Sequence, residues 1–190
     1  MPDTPAFSPV ALGELGRIVS HYPEGKQKSA LIPVLHLAQA ELGGWLSVPV
    51  MDYVASLLSI TPIEVYEVAS FYTMFNKEPV GRFKIETCRT GPCALNGAED
   101  IIGHLESRLG IKDGGTTPDG MFTLQSTECL GACGQGPVIM VGETYHELMT
   151  PAKVDALLED LRLQASTQAA PLPSAATAAS ATTTATAGVK

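Results

Sequence analysis

Through the first third of the chain, apolar residues return about every three to four positions, the period of a helix buried on one side. Leu31, Val34, Leu35, Leu37 and Ala38 form one such stripe, stopped by Gly43-Gly44. Val50, Tyr53, Val54, Leu57 and Leu58 form another. Three hydroxyl–proline pairs, Ser8-Pro9, Thr61-Pro62 and Thr150-Pro151, mark helix starts. The hydroxyl caps the first turn, and proline there has no N–H to leave unpaired. Glu64 follows Thr61 by three residues, as a capping box requires. These signals predict helices over 9–20, 27–42, 48–59 and 62–73. Pro33 falls inside the second, so a kink or a late start is expected there. Amphipathic stripes must be buried against one another, which predicts a small helical bundle.

From Arg82 the period shortens. Phe83 and Ile85 alternate with polar residues in RFKIET, the pattern of a strand. Ile101, Ile102, Leu105 and Leu109 restore the helical period, and Gly110 ends it. MFTLQS follows the turn Asp119-Gly120 as a second strand, and PVIMV and TYHEL flank a hairpin turn at Gly142-Glu143. A last helix runs from Pro151 to about Leu163, with Val154, Leu157, Leu158 and Leu161 facing inward. The order is β-α-β and then β-β-α, that of a thioredoxin-like fold. The fold class is therefore α+β or α/β: an N-terminal helical region over 1–78, then a thioredoxin-like domain with a four-stranded mixed sheet over 79–163. From Gln164 the chain is Ala, Thr, Ser and Pro with almost no large apolar residue. Such a segment cannot bury enough surface to offset its ordering entropy, so 164–190 is expected to be a disordered tail.

Composition then removes several functions. The net charge is −8 and the isoelectric point near 4.9, against the basic face of a nucleic-acid binder. MPDTPAFSPV is no secretory signal, and no apolar run is long enough to cross a bilayer. A soluble, cytoplasmic bacterial protein with reduced thiols is expected, so its four cysteines are read as metal ligands or catalytic groups. No CxxC pair is present for thiol–disulfide exchange. No glycine-rich dinucleotide fingerprint or P-loop is present either, so any nucleotide must be held by a partner.

Cys88 ends the first strand, Cys93 lies in the loop before the helix, Cys129 follows the second strand, and Cys133 lies in the loop beyond. A crossover makes those two strands parallel, so both cysteine-bearing loops leave the sheet at one edge. Thiolates gathered there suit zinc or iron–sulfur. Zinc knuckles usually place two residues between ligands, whereas these pairs have four and three. A 2Fe–2S centre gives each pair its own iron and accepts looser spacing. Gly91, Gly131, Gly134 and Gly136 let the backbone approach and point N–H groups at sulfur. Spacing therefore favours the cluster and leaves a zinc-stapled interaction module open. Glu86 and Glu128 beside the ligands would lower a cluster's potential, and Arg89 opposes them. His21, His36, His104 and His146 show no ligand spacing, and Trp45, Phe71, Tyr72 and Phe75 read as packing or interface residues. Thr90 and Ser126 read as loop caps, with donation to sulfur as the alternative.

ETCRTGPCALNGAED, together with the stretch from TTPDGMFTLQSTECLGACGQGP onward, resembles the small iron–sulfur subunit family of respiratory NADH:quinone oxidoreductase, the 24-kDa type. HYPEGKQKSALIPVLHLAQAELGGWLS and VYEVASFYTMF resemble that family's helical region. The likeness covers about His21 to Leu163. It implies a thioredoxin-like ferredoxin holding one 2Fe–2S cluster through Cys88, Cys93, Cys129 and Cys133, with no active site of its own. It implies docking onto the chain that binds FMN and NADH, next to further iron–sulfur subunits, peripherally on the inner face of the plasma membrane. Relatives serve NAD-reducing hydrogenases and NAD-dependent formate dehydrogenases. Arg89 departs from the family pattern, which usually has an uncharged polar residue there.

Overall fold

The computed structural model describes residues 5–167. The chain divides into two compact units, Met1–Val80 and Gly81–Lys190.

The first unit is helical: α1 (Pro9–Ser20), α2 (Leu31–Glu41), α3 (Val48–Leu58) and α4 (Pro62–Phe71). Caps explain where α1, α3 and α4 begin. The Ser8 hydroxyl accepts from the Ala11 N–H at 3.2 Å, and the Ser47 hydroxyl accepts from Val50 at 3.4 Å. At α4 the Glu64 carboxylate accepts from both the Thr61 N–H and its hydroxyl, each at 2.8 Å. Pro33 produces the late start. Residues Gln27–Ala30 form a 3-10 turn, and α2 begins at Leu31, so Pro33 sits in the first turn where no N–H is needed. The stripes close into one core around Leu31, Val34, Leu35, Val54, Leu58 and Val65. Phe75 is buried in it against the His36 ring, with centroids 5.0 Å apart, whereas Phe71 is exposed.

The second unit carries β1 (Phe83–Cys88), α5 (Pro92–Leu95), α6 (Ala98–Leu109), β2 (Phe122–Thr127), β3 (Ile139–Val141), β4 (Thr144–His146) and α7 (Pro151–Thr167). The sheet order is β2-β1-β3-β4. β1 and β2 are parallel, in register from Phe83 opposite Phe122 to Cys88 opposite Thr127. The other pairings are antiparallel. Ile85, Phe122, Leu124 and Ile139 form a core with Ile101 and Leu105 of α6 and Val154, Leu157, Leu158 and Leu161 of α7.

Two expectations need correction. Cys93 is not in a loop: it lies on α5, a single turn that proline opens and the sequence period is too short to reveal. α7 runs four residues past Leu163, so Gln164–Thr167, assigned to the tail on composition, are helical. The hydroxyls of Ser166 and Thr167 donate back to the Leu163 carbonyl, at 2.7 and 3.1 Å. Such local bonds keep polar residues in a last turn. The rest of the expected tail, 168–190, lies outside the described residues.

Candidate metal centre

The parallel pairing of β1 and β2 decides where the cysteines stand. Both strands end at the same edge, so Cys88 at the end of β1 meets the segment that leads from β2 to Cys129. Backbone bonds stitch the two exits together. The Arg89 N–H donates to the Thr127 carbonyl at 3.1 Å, and the Cys88 N–H donates to that of Val138, also at 3.1 Å. The Cys88 thiol itself faces the Glu128 carbonyl at 3.7 Å. Cys88 and Cys93 are buried with Ala98 and Val138 in a small apolar cluster of their own, against which Leu130 and Ala132 pack. Cys129 and Cys133 are exposed, the latter opening a 3-10 turn at Cys133–Gln135. The site is thus half inside the fold and half at its surface.

Backbone donors surround the sulfurs. Burial pushes the Cys88 thiol up, but the N–H groups of Thr90 and Leu130 and the thiols of Cys93 and Cys129 outweigh it and hold it below its ordinary value. Burial also pushes the Cys93 thiol up, and the neighbouring Cys88 adds to the rise, opposed by the Val138 N–H. Gly131 donates its N–H to the Cys129 sulfur at 3.4 Å. Gly136 lets its loop close on Cys93: a Cβ there would stand 3.1 Å from the sulfur and 3.2 Å from Cα. Among the described residues no three His, Cys, Asp or Glu side chains converge as ligands of one ion would. A binuclear centre asks only about two thiolates per iron. Four thiols on two converging segments, N–H groups aimed at sulfur and a backbone pressed against Cys93 fit a 2Fe–2S cluster.

The sequence model of the thioredoxin-like [2Fe-2S] ferredoxins matches residues 15–162. The chain belongs to this family. Its cofactor is accordingly a 2Fe–2S cluster, and the zinc alternative left open by spacing is set aside. Among curated relatives of this ferredoxin, an NADH-quinone oxidoreductase subunit of Rickettsia bellii is 46% identical over 145 residues, 76% of this chain and 87% of that protein. A like-named subunit of Rhizobium meliloti is 46% identical over 149 residues, 78% of this chain and 87% of that protein. The mitochondrial NADH dehydrogenase [ubiquinone] flavoprotein 2 of Dictyostelium discoideum is 42% identical, covering 87% of this chain and 67% of the relative. Among solved structures, an NAD+-reducing [NiFe]-hydrogenase superposes with a TM-score of 0.62 at 25% identity. That match covers 74% of this ferredoxin but spans only 24% of the hydrogenase chain.

The remaining candidates fall into place. The Thr90 hydroxyl donates to the Glu128 carboxylate at 3.4 Å, while its N–H faces the Cys88 sulfur. Ser126 gives its N–H to Asp113 at 2.6 Å and also donates its hydroxyl to that carboxylate. His104 bonds Asp155 at 2.9 Å, between α6 and α7 and apart from the cysteines. Sequence reasoning missed Gly136 as the seat of Cys93, and missed Glu99 and Asp113 around Arg89. None of these shows in spacing, because each contact spans separate elements.

Proposed function

We propose that this chain is the electron-carrying small subunit of an NADH:quinone oxidoreductase. Cys88, Cys93, Cys129 and Cys133 ligate its cluster, one pair from the end of β1 and α5 and one from the segment after β2. The observation that carries the reading is the parallel β1–β2 pairing, which brings two cysteine pairs far apart in sequence to one sheet edge with half the thiols exposed. When bound, the cluster supplies a one-electron redox centre. The protein's own part is to bury Cys88 and Cys93, aim N–H groups at sulfur and leave Cys129 and Cys133 at the surface where a partner can approach. Exposed apolar residues fringe that opening. Leu95 follows Cys93 by two residues, the Tyr145 hydroxyl donates to the Leu130 carbonyl at 2.9 Å, and the Leu148 N–H donates to Gln135 at 2.8 Å.

The partner is a chain that binds NADH and FMN. A flavin takes two electrons from a hydride, and a one-electron centre beside it can hold one of them. The ferredoxin has no active site of its own in this reading; further iron–sulfur subunits pass electrons on. Among the described residues no helix is long and apolar enough to span a membrane. In this reading the complex holds the chain peripherally, on the inner face of the plasma membrane. The hydrogenase superposition supports a second reading, the equivalent diaphorase subunit of an NAD-reducing hydrogenase or formate dehydrogenase. Chains that copurify with it, quinone-linked or hydrogenase, separate the two.

The ligand set is tested by single Cys→Ser variants at Cys88, Cys93, Cys129 and Cys133. Each is expected to lose or weaken the visible absorption and acid-labile sulfide. Four variants that all retain a normal cluster would contradict the assignment.

A further inference from the structure

The charges around the ligand loops are unevenly held. Lys84 and Glu86, on β1, pair with each other at 3.0 Å in a largely buried position and so cancel locally. Within two residues of any cysteine, the sequence has one cation, Arg89. Its backbone is fixed by the bond to Thr127 across the strand ends. Its guanidinium donates to the Ser126 hydroxyl at 3.1 Å and reaches Glu99, in the first turn of α6, at 3.4 Å. It also stands 3.9 Å from Asp113, which Ser126 holds in place through its N–H and hydroxyl. The positive charge, on the residue that follows Cys88, is thus tethered to Ser126, Glu99 and Asp113, with two carboxylates against it.

We propose that Arg89 sets the reduction potential of the cluster and holds it up. The proposal rests on the ligation by Cys88 put forward above. An oxidised 2Fe–2S centre with four thiolates carries a charge of about −2, and uptake of one electron takes it to about −3. A fixed cation nearby favours the more negative state. Arg89 also masks Glu99 and Asp113, whose own charges act in the other direction. Removing the guanidinium withdraws the cation and unmasks both acids, so both effects lower the potential. A side chain of fixed position gives a defined shift, which screening by salt reduces because the site is partly exposed.

The test is an EPR-monitored redox titration of the full chain, with iron and sulfide counted on every sample. Arg89→Gln is expected to lower the reduced-to-oxidised ratio about three- to tenfold at fixed potential, about 30 to 60 mV for one electron. Arg89→Lys keeps the charge and loses the fork, and is expected to stay near the parent. Glu99→Gln, on an exposed position, is expected to shift the potential upward. A full cluster in Arg89→Gln with the parent's potential would overturn the proposal, as would an Arg89→Lys that falls as far as the Gln variant. Should Arg89→Gln not retain its cluster, Arg89→Met is titrated in its place: a potential below the parent's supports the proposal, and the parent's potential or a higher one overturns it. A parent chain without sulfide would overturn the ligand assignment itself, and the proposal with it.

Discussion

The buried thiols of Cys88 and Cys93 place narrow demands on their neighbours. Gly136 is the tightest. Its backbone could accept a side chain, but a Cβ would press on the sulfur and Cα of Cys93, which α5 holds in place. Gly136→Ala is expected to cost about 1–3 kcal/mol of stability by overpacking and to lower iron per chain, read by denaturant unfolding and metal analysis. An Ala variant with parent stability and iron would show that the loop has room to move. Thr87 makes the opposite case. It is fully buried next to Cys88, and its hydroxyl has no partner among the described residues. An unmade bond of this kind costs about 1–3 kcal/mol, so Thr87→Val is expected to raise the unfolding free energy by about 1 kcal/mol. A loss of stability in urea would mean that the hydroxyl is satisfied after all.

At the scale of elements, caps and apolar stripes fix where helices begin and which side they bury. The Glu64 carboxyl is pulled down to about 2, first by Lys28 and then by the Thr61 N–H and hydroxyl it accepts from. A carboxyl lowered on folding contributes stability above its unfolded value and loses it as pH falls through the folded one. Glu64, through Lys28 and the capping box of α4, therefore adds stability at neutral pH and gives it up between about 4.5 and about 2. Glu64→Gln is expected to flatten that acid limb in urea midpoints taken against pH; an unchanged limb would remove the cap from the account. α7 is held differently, by an apolar inner side that packs on the sheet core, beside the Asp155 carboxylate that bonds His104 of α6. Leu158 is fully buried there, and Leu158→Ala is expected to cost about 2–5 kcal/mol, measured by denaturant unfolding. These features were legible in sequence because caps and periods are local. α5 was not, since a single turn has no period, and the end of α7 was not, since hydroxyls bonding back to Leu163 look like low-complexity tail.

The whole molecule depends on one topological fact. A crossover between β1 and β2 puts the segments that bear Cys88–Cys93 and Cys129–Cys133 at one edge, and this could be inferred from the order of strands and helices alone. What surrounds the sulfurs could not. The seat of Cys93 on Gly136 and the tether of Arg89 to Glu99, Ser126 and Asp113 each join elements distant in the chain, and only the fold brings them together. Half-burial of the thiols suits a carrier that must both protect its cluster and meet a partner. The most direct measurement is EPR on anaerobically purified protein before and after dithionite, with iron and acid-labile sulfide counted on the same sample. The account predicts a rhombic signal that appears only on reduction, with about two irons and two sulfides per chain. No signal, no sulfide and about one zinc per chain would contradict it.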